Sequence, residues 1–410
     1  MDYTPTLDYI AAYWPRLIRH NTGDQGTLIG LPQPYVVPSD GAMFHEMYYW
    51  DSYFTALGLV GTEHEPLITG MTENMAYLYR RFGIIPNASR YYFLSRSQPP
   101  FFTAMIRLAY TVKQQAGDPQ AGRWLARQMR LAEAEHATVW LGTQQPHARL
   151  VHAGLSRYFD INFLDILASC ESGWDHSTRC DERWLDHLPV DLNSILYARE
   201  QDFAWFHTER GERSQAAAWQ ARAATRAATM HDLLWDETQG CFFDYDYRNG
   251  QRTPHPSLAM FYALWAGWAT PAQAARVVAD WLPRFSQPGG LVTTLEERAG
   301  RQWAWPNGWA PLQWIVAAGL ERYGYAAEAQ QVMRVWCDTC ATVFAATGTM
   351  WEKYNVVALG SHAEGGVYGM VTGFGWTNGV FSDFARRLAD GTDDNTETRR
   401  HGVIEKTLSF

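Results

Sequence analysis

One helical pattern follows another along nearly the whole chain. Apolar residues recur with helical spacing, or in capped apolar runs, at about 5–20, 65–82, 101–116, 119–140, 190–209, 212–236, 256–268, 271–284, 307–323, 325–346 and 376–390. Proline opens the runs near 256 and 271, where its missing N–H has no helical partner to lose. Strand alternation is scarce, and the best arm is Cys241 to Tyr247 before the Asn249-Gly250 turn. No Ser/Gly-rich or charge-rich linker divides the chain, and no short repeat is visible. Ten or more helices in an undivided chain of 410 residues predict an all-α fold. An (α/α)6 barrel, a toroid of paired helices with its functional loops at one end, fits that length and count. An α-solenoid is the second choice, and the lack of internal repetition counts against it. The reading is a single domain over 1–389 followed by a polar C-terminal tail over 390–410.

Charge and motif content exclude several functions. The formal net charge is -9, with no long basic run, so nucleic acid and anionic membrane surfaces are poor partners. The glycines form neither a dinucleotide fingerprint nor a P-loop, there is no HExxH or His cluster, and no cofactor is expected. Cys337 and Cys340 form a lone CxxC inside an amphipathic run and read as helix residues, not as a zinc or redox site. Five scattered cysteines do not make a disulfide framework, the first residues lack a signal-peptide pattern, and no apolar run is long enough to span a bilayer. The expected location is cytoplasmic.

The loops between the helical runs are the unusual part. The chain has 19 Trp, 21 Tyr and 19 Phe, and many stand in Gly/Pro-rich stretches where no packing period demands them. Aromatic side chains pair an apolar face with a polar tip and so suit sugars, whose C–H faces stack while their hydroxyls hydrogen-bond. The richest stretch, Glu171-Ser-Gly-Trp-Asp175-His-Ser-Thr-Arg179, sets two carboxylates, an indole and a guanidinium around Gly173. The glycine argues for a turn that presents Asp175 to a cavity, and a carboxyl desolvated beside Trp174 would have the raised pKa of a general acid. Read alone, the stretch also suits a plain ion pair between Glu171 and Arg179 beside a buried Trp. Further loops of the same composition run from Asp40 to Phe54, Pro86 to Pro100, Arg301 to Trp314, Trp351 to Asn355 and Glu364 to Val380. Carboxylates embedded in aromatic loops are the inventory of glycoside hydrolysis, in which one acid protonates the leaving oxygen and one base activates water.

These loops resemble, in order, the signatures of the trehalases (glycoside hydrolase family 37), of which the chain looks like a short and divergent member. The stretch Asp40-Gly-Ala-Met-Phe-His-Glu-Met-Tyr-Tyr-Trp-Asp-Ser-Tyr53 is similar to the family's Pro-Gly-Gly-Arg-Phe-x-Glu-x-Tyr-x-Trp-Asp-x-Tyr. Gln302-Trp-Ala-Trp-Pro-Asn-Gly-Trp-Ala-Pro311 is similar to Gln-Trp-Asp-x-Pro-x-Gly-Trp-Ala-Pro. Pro86-Asn87, Ser95-Arg-Ser-Gln98, Glu171 to Asp175, Glu352-Lys-Tyr354 and Gly373 to Gly379 match as well. The resemblance implies an (α/α)6 barrel and an inverting hydrolase of a small α-glucoside, with water as co-substrate and no cofactor. By motif, Asp175 is then the general acid and Glu352 the general base. Phe44, Tyr48, Trp50, Asp51, Asn87, Arg96, Gln98, Gly173, Gln302, Trp309 and Trp376 are expected to form the sugar pocket.

The departures from the pattern bear on the substrate. Met43 stands where the family has arginine, Ala304 where it has aspartate, and Val367 where it has glutamate, with Glu364 three residues early. After Asp160 the chain reads Ile-Asn-Phe-Leu-Asp165 in place of an Arg/Pro/Glu stretch that holds sugar hydroxyls. Trehalose is the substrate by resemblance. The missing polar partners leave open another small α-glucoside, such as glucosylglycerol or glucosylglycerate, or a non-catalytic sugar-binding protein of the same fold.

Overall fold

The computed structural model describes residues 1–145, 148–298, 300–360, 363 and 368–393. In chain order its α-helices are α1 (Thr4–Leu17), α2 (Tyr49–Leu57), α3 (Pro66–Phe82), α4 (Phe102–Gln115), α5 (Ala121–Glu135), α6 (Asp165–Ser172), α7 (Val190–Glu209), α8 (Arg213–Leu234), α9 (Tyr262–Ala266), α10 (Pro271–Arg276), α11 (Leu282–Phe285), α12 (Ala310–Arg322), α13 (Ala326–Thr347) and α14 (Gly375–Asp393). Helices α2, α4, α7, α9, α12 and α14 touch one another in that order, and α14 returns to α2, so they close an inner ring. Outside it lie α1 against α13 and α14, α3 between α2 and α4, α5 between α4 and α7, α8 on α7, and α13 between α12 and α14. The α10–α11 run, joined by a π turn over Val277–Trp281, completes the outer set and meets the inner ring where Phe285 packs on Phe261. The chain therefore alternates inner and outer helices around one axis, the (α/α)6 barrel that the helix count predicts.

Inner and outer helices differ in sequence because they differ in surroundings. Outer α8 buries one stripe, Ala216, Ala223, Arg226, Met230 and Leu234, and leaves most of its other residues exposed. All nine residues of inner α2 are buried, as are the first eleven of α12, so neither has a polar face. This is why α2 gives no helical signal and its stretch reads as an irregular aromatic and acidic loop. The ring closes where α2 meets α14 on glycine: a Cβ on Gly58 would lie 2.6 Å from Gly379 Cα, inside van der Waals contact.

Other expectations are met or adjusted locally. The Asn249-Gly250 turn does join antiparallel strands, Tyr245–Asp246 and Gln251–Arg252, and His187–Leu188 adds a third. The run expected over 256–268 is a 3-10 turn, Leu258–Phe261, followed by the short α9. Cys337 and Cys340 are buried within α13, as read from the amphipathic pattern, and all five cysteines are free. Helix α14 runs to Asp393, past the point where the tail was expected to begin, and residues from 394 onward lie outside the described residues. Among the described residues no helix is long and apolar enough to cross a membrane.

Four of the six inner helices start just after one of the aromatic loops. The loop 40–48 feeds α2, 86–101 feeds α4, 301–309 feeds α12 and 351–374 feeds α14. Strand Asn307–Trp309 pairs antiparallel with Lys353–Asn355, locking two of these loops together. The chemistry-bearing residues therefore gather at the N-terminal end of the inner ring.

Candidate active site

The floor of this end is an aromatic stack. The indoles of Trp303 and Trp309 lie parallel with centroids 3.8 Å apart, and Trp174 and Trp50 flank Trp303 at 5.6 and 5.8 Å. Trp376 stands edge-on to Trp50 and Trp309, each at 5.8 Å. Trp309 donates its indole N–H to the Gln302 carbonyl at 3.1 Å. Trp50 and Trp309 are thus wholly buried in the floor. Trp303 was not among the expected pocket residues, because its place in the stack comes from packing that the Gln-Trp motif does not reveal.

Three carboxylates stand above the floor. Asp51, in the first turn of α2, is buried and feels the charges of both Glu352 and Asp175, and burial together with that repulsion holds its carboxyl well above the usual range. Asp175 is pushed up to about 7, first by burial and then by Glu352, with the Arg96 guanidinium opposing. Burial also raises Glu352, while Lys353 and Tyr368 work against the rise. Lys353 Nζ lies 2.9 Å from Glu352 Oε2 and 3.3 Å from Gln302 Oε1, and the Tyr368 hydroxyl donates to Glu352 Oε1 at 2.9 Å. The Trp376 indole N–H donates to the Glu352 carbonyl at 3.1 Å and so fixes the backbone of the same residue. Lys353 and Tyr368 were not expected as site residues, although Lys353 adjoins Glu352 in the sequence.

The remaining expected residues frame these groups. Phe44, held at φ 67°, packs its ring against Tyr48 at 5.7 Å and Tyr368 at 5.4 Å. Tyr48 donates to Glu46 at 2.7 Å and lies within reach of the Asp51 charge. Gln98 accepts the Trp50 backbone N–H at 3.1 Å and also hydrogen-bonds Asp51. Arg96 reaches Asp160 at 3.2 Å. Asn87 spends its amide N–H groups on the carbonyls of Ser97 and Cys170 at 3.2 and 3.0 Å, tying two loops together.

Gly173 sits in the turn that presents Asp175. It follows α6 with φ 72°, and a Cβ there would lie 2.6 Å from the Trp50 ring. Gly173→Ala should therefore cost about 2–5 kcal/mol of stability through the left-handed backbone and the clash, and should lower turnover by moving Asp175. Thermal unfolding and steady-state kinetics of the variant check this, and an unchanged melting point would refute the packing argument.

The alternative reading of the stretch, an ion pair between Glu171 and Arg179, does not occur. Glu171 is the last residue but one of α6; it binds Arg149 and accepts the backbone N–H groups of Ser97 and Phe159 at 2.6 and 2.7 Å. Arg179 is buried between Asp191 and Asp244, at 2.8 and 2.7 Å, with Trp174 stacked on its guanidinium at 4.4 Å. Both partners come from distant segments, so spacing within the nine-residue motif could not reveal them. Beyond Asp175, four non-glycine residues among those described stand at positive φ, His176, Cys180, Asp181 and Glu182. Arg301 bonds Glu182, and His255 bridges Asp181 and Glu296 at 2.9 and 2.7 Å, which compensates a backbone costing about 1–3 kcal/mol per such residue.

Of the three departures, Met43 is 39% exposed and Ala304 is buried, while Val367 and Glu364 lie outside the described residues. Arg157 is spent on the carbonyls of Ala148 and Leu185 and on the Tyr247 hydroxyl, and Asp165 accepts the Leu185 N–H at 2.8 Å. No group of three or more His, Cys, Asp or Glu among the described residues is arranged to hold a metal ion.

About nine-tenths of the chain aligns with known relatives. The trehalase family profile matches residues 2–161 and 160–389. The periplasmic trehalases of Salmonella newport (strain SL254) and Salmonella agona (strain SL483) are each 34% identical over 418 aligned residues, covering 91% of this chain and 72% of theirs. Among solved structures, the neutral trehalase of Saccharomyces cerevisiae superposes with a TM-score of 0.77 at 29% identity, over 87% of this chain and 74% of that one. A mannosylglycerate hydrolase of Thermus thermophilus, solved with glucose, matches at TM-score 0.68 and 16% identity over 93% and 100%, a likeness of fold alone. A match of this extent, on a barrel whose aromatic floor carries paired carboxylates, places the chain in the trehalase family of glycoside hydrolases.

Proposed function

We propose that the protein hydrolyses trehalose with inversion at the anomeric carbon, using Asp175 as general acid and Glu352 as general base. The observation that carries the roles is the unequal surroundings of two carboxylates close enough to feel each other's charge. Asp175, at about 7, keeps a proton to give near neutral pH, whereas Glu352 has a cation and a phenol holding its charge. In the reaction Asp175 protonates the glycosidic oxygen as its bond to the anomeric carbon breaks. Water forms the new C–O bond from the opposite face and gives its proton to Glu352. Asp51, Gln98 and Arg96 would hold hydroxyls of the glucosyl ring, Phe44 and Tyr48 its C–H faces, and Trp50, Trp309, Trp376, Gly173, Gln302 and Asn87 would keep the floor and loops in place.

Several further points support this reading over the other small α-glucosides. The relatives that match nine-tenths of the chain are trehalases, and the neighbour acting on mannosylglycerate shares only the fold. The twelve-part ring has no internal break among the described residues, which supports one catalytic unit. Five free cysteines support a reducing, cytoplasmic location, whereas the Salmonella relatives are periplasmic, so cell fractionation decides the compartment.

Proton NMR of the first product formed from trehalose tests the mechanism. Inversion releases one β-glucose from the attacked ring and one α-glucose as leaving group, so both anomers should rise together before mutarotation. Early α-glucose alone would mean retention and would overturn the role of Glu352, and no glucose release would overturn the substrate.

A further inference from the structure

The described residues expose nine large apolar side chains, and six of them, Met43, Tyr92, Ile161, Phe163, Leu164 and Ile166, stand on the segments that build the catalytic end. Four of the six fall within 161–166, which runs into α6, the helix that leads to Gly173 and Asp175. Single apolar side chains are ordinary on a surface, whereas a group of them marks a place where something apolar lies. The Ile161 N–H donates to the Ser95 carbonyl at 3.0 Å and so sets this segment beside the one that carries Tyr92 and Phe93.

The segment is held in this shape by the residue before it. Asp160 binds Ser95 and Arg96 through Oδ2, at 2.7 and 3.2 Å, and accepts the backbone and side-chain N–H groups of Asn162 through Oδ1, both at 2.8 Å. Its carbonyl accepts the Phe163 N–H at 2.9 Å. The turn so closed keeps Phe163 at φ 56°, a left-handed backbone that a bulky side chain seldom adopts, and leaves Ile161 and Phe163 each 61% exposed. It also lies on the acid side of the pocket, since Arg96, which anchors it, is the guanidinium whose charge Asp175 feels. A general acid protonates the leaving oxygen, so the leaving group lies on that side of the bond that breaks. An aromatic path runs outward from the pocket to the same place: Phe44 to Tyr48 at 5.7 Å, Tyr48 to Phe93 at 6.0 Å and Phe93 to Tyr92 at 4.5 Å.

We propose that the pocket also hydrolyses α-glucosides with an apolar aglycone, whose alkyl chain or ring lies over Tyr92, Phe93, Ile161 and Phe163 while the glucosyl ring sits between Asp175 and Glu352. This rests on the acid and base roles given above. Asp175 gives its proton to the glycosidic oxygen as the bond to the anomeric carbon breaks, which releases the aglycone as an alcohol. Water forms the new bond and passes its proton to Glu352, so the products are glucose and the alcohol. Seating the aglycone on the exposed side chains removes apolar surface of both partners from water.

Octyl and methyl α-glucoside, which differ only in the length of the alkyl chain, test this on the full-length protein below the micelle concentration, with trehalose as reference. kcat/KM for the octyl compound should exceed that for the methyl one by at least about tenfold, the effect of burying about two methylene groups. The double variant Ile161→Thr, Phe163→Asn puts polar side chains on the turn, and Asn tolerates the left-handed backbone. It should cut the octyl-to-methyl ratio by about fivefold or more and leave methyl glucoside hydrolysis within about twofold. Equal kcat/KM for the octyl and methyl compounds while trehalose is cleaved would overturn this inference and spare trehalose as a substrate. Cleavage of octyl glucoside without cleavage of trehalose would do the reverse, and no hydrolysis of any of the three would overturn both. A ratio unmoved in the double variant would also overturn the inference, as would a native dimer that the double variant splits into monomers, because a second copy would then cover the apolar group.

Discussion

Asp175→Asn and Glu352→Gln should each lower turnover on trehalose by at least about a hundredfold in a protein that still folds, because a positioned acid or base typically supplies 10² to 10⁴. The double variant should lose little beyond the worse single one, since acid and base act on one transition state. The pH profiles carry more information than the rates. If Asp175 is the acid, its carboxyl near 7 should make kcat/KM of the native enzyme fall as pH rises past that value, and the Asn variant should lack this limb. Folding stability gives an independent check. The folded-state pKa of Asp175 lies above its unfolded value near 4, so stability is full below pH 4 and is lost as pH rises through 7. The penalty is on the order of 2–4 kcal/mol at pH 8, and Asp175→Asn should remove much of it. A variant with normal turnover, or one less stable than the native protein at pH 8, would refute the assignment.

Lys353→Met should be nearly as damaging, for a different reason. Lys353 and Glu352 are both almost wholly buried, and the ammonium lies 2.9 Å from the carboxylate it serves. Removing one partner of a buried ion pair typically costs about 3–5 kcal/mol, since the other is left as an uncompensated charge. Glu352 can escape that cost by taking up a proton, so its already raised pKa should climb further. The base works only when ionised. Activity should therefore be lost first at low pH, with the acid limb of the kcat/KM profile moved upward. The stability deficit should grow as pH rises through the new, higher pKa, because the carboxylate must then ionise in place without its cation. Tyr368→Phe, which removes a neutral donor to the same carboxylate, should move the limb in the same direction by less. An acid limb unmoved in Lys353→Met would show that the lysine is structural only.

The amphipathic outer helices and the aromatic loops were legible in the sequence because each carries its signal locally. In α8 the buried positions recur with the helical period, and in the Glu171 to Arg179 stretch the glycine between two carboxylates announces a turn. The order of those loops was enough to identify the trehalase signatures and to single out Asp175 and Glu352 as the proposed acid and base. Helix α2 was not legible: it is enclosed on every side by its neighbours in the ring, so it has no polar face and no period to read. The partners of Glu171 and Arg179 were hidden for a related reason, since Arg149, Asp191 and Asp244 arrive from other segments. Which residues are candidates for the chemistry was therefore written along the chain. What each carboxyl is made to do, Asp175 holding a proton near neutrality and Glu352 sharing its charge with Lys353 and Tyr368, was decided only by tertiary structure, because burial and nearby charge act through space.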